Sequence, residues 1–372
     1  MENGKCRMKN YKKFSVLLFG LLFAGVSLIG FDTSKAQTAN PPTVNPQASV
    51  SPSPTPPVED DEVIKIDTEV VNVLFTAQDK NRRLLTDLKQ TDIKLLEDGQ
   101  PQEVISFNRQ VDLPLSLAIL IDTSASQERT LPEEKRAAKS FIESVIRPAK
   151  DEVSIISFTG ETTLEQGMTN NLTRLGRAVD RVEFVPPSGY IGGGVIAGTP
   201  SISGSNQAAA GSTAIWDAIW VTSEDVLKPS PDKTRRAIIL LTDGINTYGQ
   251  KRLDDAVQAA LRNEAVIYSI GIGDDFQFQG VDEGTLKKIS ERTGGRAFFP
   301  RDEDELRKAF AQIQLEMRSQ YLIAYEPSNQ KRDGSYRKIE IQIANPELAK
   351  QKVKLTNRQG YFAKTEDGKM KK

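Results

Sequence analysis

The spacing of apolar residues changes twice along the chain, and the changes divide it. Over residues 63–110 apolar and polar positions alternate, as in Ile64-Lys65-Ile66-Asp67, or apolar β-branched residues gather, as in VVNVLF at 70–75. A period of two marks half-buried strands. Asp98-Gly99 reads as a turn before another strand at 103–107. From residue 115 the rhythm is different. Apolar runs at 115–121 (LSLAILI), 153–158 (VSIISF), 237–241 (AIILL) and 266–272 (VIYSIGI), with a short one at 297–299, are separated by segments of helical spacing. These predict helices over 131–146, 172–182, 213–227, 253–261, 281–293 and 304–317, the fifth stopped by Gly294-Gly295. After Ser319 alternation returns, with strands predicted at 321–325, 339–343 and 353–355 and Asp333-Gly334 as a hairpin turn.

Strands that are apolar along their whole length are buried on both faces, and their alternation with helices implies parallel pairing. The predicted fold class is therefore α/β: a doubly wound, mostly parallel sheet with helices on both faces. Too few strands lie in either flank to bury a face alone. The flanks, 62–112 and 319–364, are expected to pair into one small β-domain with the α/β domain, 113–318, inserted between them. No internal repeat is visible, and 365–372 is read as a disordered tail.

The first residues change the picture of where this protein works. Lys5, Arg7, Lys9, Lys12 and Lys13 precede an uncharged apolar run at 14–31, and Ser34-Lys35-Ala36 has the small-x-small pattern of a signal-peptidase site. Residues 1–36 are read as a signal peptide, cleaved before Gln37. The competing reading is an uncleaved anchor, because the run is nearly long enough to span a bilayer. No cysteine follows the run, which argues against a lipoprotein anchor, and the single cysteine, Cys6, precedes it. The mature chain is expected to be exported to the periplasm, the cell surface or the medium. Residues 37–61, rich in Pro, Ser and Thr, are read as a disordered spacer.

Composition excludes several chemistries. There is no histidine, so Ser-His-Asp and Cys-His catalysis and imidazole metal sites are ruled out. Lys+Arg 49 against Asp+Glu 50 leaves no electrostatic footprint for nucleic acid.

In open parallel sheets, ligands gather outside the carboxyl ends of the strands. Three stretches fall there: Asp122-Thr123-Ser124-Ala125-Ser126 after one strand, Gly211-Ser212-Thr213 before a helix, and Thr242-Asp243-Gly244 after another strand. Taken singly, each has a plain structural role, as a helix cap or a turn. Together they offer only hard oxygens, which select Mg²⁺, Mn²⁺ or Ca²⁺. Two carboxylates and several neutral hydroxyls leave such an ion with an unspent attraction for an outside anion.

Asp122-x-Ser124-x-Ser126, Thr213 and Asp243 resemble in full the metal ion-dependent adhesion site of von Willebrand factor type A (VWA) domains. The resemblance continues through Val70–Asp79, EDGQPQEVISF, LSLAILIDTSAS, STAIWDAI, IILLTDG, YSIGIG, ERTGGRAFF and RSQYLIAYEP, which look like the bacterial VWFA-related secreted family of acidobacterial type. It implies that Ser124 and Ser126 ligate the metal through their hydroxyls and that Asp122 and Asp243 act largely through bound water. Thr213 is the ligand whose engagement varies with state. The remaining position takes water or a partner's Asp or Glu, and Mg²⁺ is the expected ion. One departure is the Gly/Ser/Ala-rich loop at 186–212, longer than the pattern usually has and placed just before Thr213.

The resulting expectation is an exported, metal-dependent, protein-binding module of adhesion type, not an enzyme. Its partner would be a protein offering Asp or Glu, with membrane contact only if the signal is uncleaved. The alternatives are a structural envelope module whose metal only stabilises the fold, and a metal-dependent enzyme. Against the enzyme, Asp122-Thr123-Ser124 lacks the second acid of aspartyl-phosphate enzymes. The Ser-x-x-Lys at Ser230 sits in a polar, proline-flanked loop, and nothing supplies a general base with an orienting partner.

Overall fold

A computed structural model describes residues 70–110, 113–186, 190–191, 194–195, 211–231, 233–273 and 280–366. Every described residue lies in one compact unit, within 65–372. The signal peptide, the spacer and most of the 186–212 loop lie outside the described residues. No described helix is long and apolar enough to cross a membrane.

In chain order the elements are β1 (Val71–Gln78), β2 (Ile93–Glu97), β3 (Gln100–Pro101), β4 (Val104–Gln110), β5 (Leu115–Asp122), α1 (Leu131–Val145), β6 (Glu152–Phe158), β7 (Thr162–Thr169) and α2 (Leu172–Arg181). Then come the two-residue β8 (Tyr190–Ile191) and β9 (Gly194–Val195), α3 (Ile215–Val221), β10 (Arg235–Thr242), α4 (Leu253–Arg262), β11 (Ala265–Gly271), α5 (Glu283–Thr293), β12 (Ala297–Phe298) and α6 (Glu303–Arg318). The chain closes with β13 (Gln320–Tyr325), β14 (Tyr336–Ile343), α7 (Pro346–Lys350), β15 (Lys354–Asn357) and β16 (Gly360–Phe362).

The central sheet has six strands in the order β12-β11-β10-β5-β6-β7. All neighbours are parallel except β6 and β7. Alternate residues of the middle strands point to opposite faces, as the pleat requires. Leu117, Ile119, Ile121, Ile239 and Leu241 pack against α1, α2 and α6, whereas Ala118, Leu120, Ile238 and Leu240 pack against α3, α4 and α5. Both faces are covered, which is why β5 and β10 are buried at every position.

The flanks do pair. β1, from before the α/β block, lies between β13 and β15, from after it, and β4 takes the other side of β13. A second sheet, β16-β14-β2-β3, mixes the flanks in the same way. Val73, Phe75, Leu95, Tyr321, Ile323 and Ile339 form the core between the two sheets. The α/β domain is thus inserted into a β-domain that neither flank could make alone.

Two expectations need correction. Asp333-Gly334 is not the turn of a hairpin joining neighbouring strands, because β13 and β14 belong to different sheets. The chain crosses between layers there, with Gly334 at φ 70°. The helix expected over 213–227 starts only at Ile215 and changes to a π-helical turn over Thr222–Leu227. Thr213 is therefore left in the loop ahead of it.

Candidate metal centre

β5 and β10 are neighbours, so their carboxyl ends deliver Asp122 and Asp243 to one place. Asp122 is fully buried as the last residue of β5. Its Oδ1 accepts the Ser124 backbone N–H at 2.9 Å, which curls the chain back after the strand. Its Oδ2 accepts the Thr242 hydroxyl at 2.6 Å, which ties it to the end of β10. The same Thr242 oxygen accepts the Gly244 N–H at 3.1 Å.

Asp243 is nearly buried and accepts the Ile245 N–H at 2.9 Å. Its carbonyl accepts the Asp282 N–H at 2.8 Å, fixing the start of α5. Gly244 follows in a left-handed conformation, φ 86°, and a β-carbon there would lie 2.8 Å from Leu286 Cγ. Both constraints demand glycine. Gly244→Ala is expected to lower stability by about 2 kcal/mol, the sum of backbone strain and a forced shift of Leu286, read by urea unfolding.

The loop from β5 to α1 supplies the hydroxyls. Ser124 Oγ and Ser126 Oγ lie 3.3 Å apart, and Ser126 is near enough to Asp243 to favour its ionised form. Asp122, Ser124, Ser126 and Asp243 therefore lie together at one end of the sheet. Thr213 is placed by its backbone: its N–H donates to Thr247 Oγ1 at 2.8 Å, and its carbonyl accepts the N–H groups of Thr247 and Tyr248. It is buried beside the segment that follows Asp243, but no hydrogen bond joins its side chain to the other four.

The electrostatics are unbalanced. Burial, helped by the nearby charge of Asp243, pushes Asp122 up to about 7, against hydrogen bonds from Ser124 and Thr242 that favour its ionised form. Burial also raises Asp243, against its bonds from Ser126 and Ile245. Among the described residues, neither carboxylate is paired with a lysine or arginine. Among the described residues no group of three or more carboxylates or thiols is placed to hold a metal. An ion here would need the serine hydroxyls as well as the two acids. Two buried carboxylates without a cation, beside two serine hydroxyls, fit a hard divalent ion.

The loop that carries the serines rests on residues the sequence did not single out. Gln127 is fully buried, and its Nε2 donates to Ser126 Oγ at 3.3 Å and to the Ile272 carbonyl at 3.2 Å. Thr130 Oγ1 lies 3.2 Å from Gln127 Oε1 and donates to Glu134 Oε1 at 2.9 Å. Glu134 is fully buried in α1, and burial first, then the charge of Asp122, pushes it up to about 8 despite the bond from Thr130. One signal was available. Glu134 stands on the apolar stripe of α1 with Ala138, Phe141 and Val145, where a solvated acid does not belong.

Residues 201–312 match the family model of the von Willebrand factor type A domain. This chain carries a VWA domain. The matched stretch includes Thr213 and Asp243, while Asp122, Ser124 and Ser126 lie upstream of it. No curated protein matches the chain. Similar solved structures include an aerotolerance-related membrane protein from Bacteroides fragilis (17% identity, TM-score 0.40, covering 55% of this chain and 100% of that one). Another is a VWA protein from Catenulispora acidiphila (14% identity, TM-score 0.43, covering 82% and 76%). A third is the proximal thread matrix protein of the mussel byssus with a zinc-occupied metal ion-dependent adhesion site (20% identity, TM-score 0.43, covering 59% and 49%).

Proposed function

We propose that the VWA domain captures a partner protein through one divalent ion held at Asp122, Ser124, Ser126, Thr213 and Asp243, with an acidic side chain of the partner as the outside ligand. The supporting observation is that Asp122, Asp243, Ser124 and Ser126 gather at the ends of two adjacent parallel strands, the first three buried and Ser126 half-buried, with no neutralising lysine or arginine among the described residues. The ion supplies positive charge to an incoming carboxylate. The protein's part is to hold four of its own oxygens in a fixed cluster. Asp122 is fixed from two sides, by Ser124 N–H and Thr242 hydroxyl, and Ser126 from the Gln127 side chain.

Hard oxygen donors favour Mg²⁺, with Mn²⁺ or Ca²⁺ as substitutes. An ion facing two carboxylates still gains from a third anion in a partly desolvated cleft. VWA domains are in general interaction modules, and we read this one as a binding protein that catalyses no reaction. The apolar run at 14–31 and Ser34-Lys35-Ala36 support export.

The test is capture by the purified protein from envelope extract of its host, in Mg²⁺ and in excess EDTA. A partner retained in Mg²⁺ and released by EDTA is expected. It should also be displaced by a peptide copy of its own contact segment, and not by the same peptide with its acids replaced by amides. Capture that is indifferent to EDTA would remove the metal from recognition. A melting temperature that responds to Mg²⁺ without any metal-dependent capture would leave the ion a structural role only.

A further inference from the structure

The central sheet stops at β12 with an open edge. β12 pairs with β11 on one side, Ala297 opposite Ser269 and Phe298 opposite Ile270, and no described strand lies on its other side. α5 and α6 pack on opposite faces of the sheet, so they stand as two walls beside that edge. The chain after β1 and the turn before β15 contribute the β-domain side of the enclosure. Between these lies a cavity of about 850 Å³, with Phe298 and Phe299 in its lining.

The cavity is strongly cationic. Eight lysines and arginines line it against three carboxylates. Some of these cations are occupied: Arg296 pairs with Glu316, Arg301 with Glu305 and Lys287 with Glu283. Lys80, Arg82, Lys308 and Lys352 are exposed and make no ion pair among the described residues. Like charges crowded around one cavity repel each other, and an anion relieves them. Arg82 (φ 63°) and Lys352 (φ 54°) also hold left-handed backbone, where a long side chain is strained and glycine would be relaxed. Two turns thus present a long cation to the cavity at a backbone position that disfavours it.

We propose that this cleft binds an extended acidic segment of a partner polypeptide, which adds as a strand to the open edge of β12. Strand addition uses the unpaired backbone groups of the edge for affinity and alternate side chains for specificity. Side chains of an added strand point alternately to the two faces of the sheet. Acidic residues of the segment on the α6 face would therefore meet Lys308. A sulfated saccharide matches the charge but cannot pair with the strand edge.

The test uses the intact protein in EDTA, so that the metal centre takes no part, and a fluorescein-labelled octapeptide alternating glutamate and threonine, followed by fluorescence anisotropy. Saturable binding that weakens as salt rises is expected. It should be roughly tenfold weaker or more in the Lys308→Glu, Lys352→Glu double variant, with an unchanged melting temperature. It should also be lost for the same peptide N-methylated at every second residue, which keeps the charge and removes strand hydrogen bonds. No binding, equal binding by the N-methylated peptide, or binding unaffected by the charge reversals would overturn the proposal. Preference for a heparin octasaccharide over the peptide would overturn it in favour of a saccharide. Binding that appears only with Mg²⁺ and vanishes in Asp122→Ala would place the peptide at the metal centre, supporting that function and not this one.

Discussion

Asp122→Ala is expected to abolish every response of this protein to divalent ions while leaving it folded. Wild type in saturating Mg²⁺ should melt at a higher temperature than in EDTA, because an ion that binds only the native state adds about 2.7 kcal/mol at a hundredfold excess over Kd. The variant should show one melting temperature in both conditions and no heat of Mg²⁺ binding by calorimetry. Folding should survive because two effects oppose one another. Removing the carboxylate strands the Ser124 N–H and the Thr242 hydroxyl, at about 1–3 kcal/mol for each group left buried without a partner. The same change removes a buried, unpaired charge that lies close to Asp243. Asp122→Asn removes the charge while keeping an oxygen for one of these donors, the other then facing the amide NH₂. It should melt near the metal-free wild type and still fail to bind Mg²⁺. Mg²⁺-dependent stabilisation in both variants would show that the ion sits elsewhere.

What the sequence revealed of this fold follows from how many faces of each element are buried. β5 and β10 are covered on both sides, so their sequences are unbroken apolar runs and stand out without context. β7 does not. It is a sheet edge, TTLEQGMT, only partly buried along its length, and its polar composition reads as loop. Its antiparallel pairing with β6 was invisible for the same reason. The flanking strands were legible one at a time, but the pairings that join the two flanks span more than 200 residues, as Val71 opposite Tyr325 illustrates. Asp333-Gly334 had the chemistry of a hairpin turn, yet local turn preference carries no information on whether the next strand joins the same sheet.

The proposed metal centre divides similarly. Asp122 and Asp243 were legible because a carboxylate ending a buried strand is conspicuous, and Ser124 and Ser126 because they follow at fixed spacing. Thr242, Gln127 and Thr130 were not, since they are uncharged residues whose roles depend on contacts across the sheet end. Thr213 was legible as a residue and not as a geometry. Its backbone is fixed to Thr247, a link between two loops that no local pattern encodes.

Asp151→Asn is expected to cost about 3 kcal/mol of folding stability, the penalty of breaking a buried ion pair on one side. The Asp151 side chain is wholly buried and accepts five hydrogen bonds. They come from Leu115 N–H at 3.0 Å, Arg147 N–H at 2.8 Å, Arg147 Nε and Nη2 at 3.0 Å each, and Arg318 Nη2 at 2.6 Å. One carboxylate thus joins the start of β5, the segment after α1 and the last residue of α6. An asparagine has one acceptor oxygen, turns an NH₂ toward cationic donors, and takes the carboxylate charge of residue 151 away from both guanidinium groups. The pH dependence identifies the cause. Burial opposes ionisation of Asp151, but hydrogen bonds from Arg147 and Arg318 outweigh it and lower the carboxyl to about 2. A group depressed in the folded state contributes stability that is complete above its ordinary value of 3.8 and is lost as the pH falls toward 2. Urea unfolding in EDTA should therefore show a constant gap between wild type and variant from pH 7 to pH 5, narrowing at pH 3. A gap of the same size at pH 3 would mean that Asp151 acts through packing alone. Because α6 leads from this clamp directly into β13, loss of the clamp should also loosen the junction between the two domains. Hydrogen exchange in the variant should then be fastest relative to wild type at the amides of α6 and at the start of β13, with the β1–β15 pairing little changed.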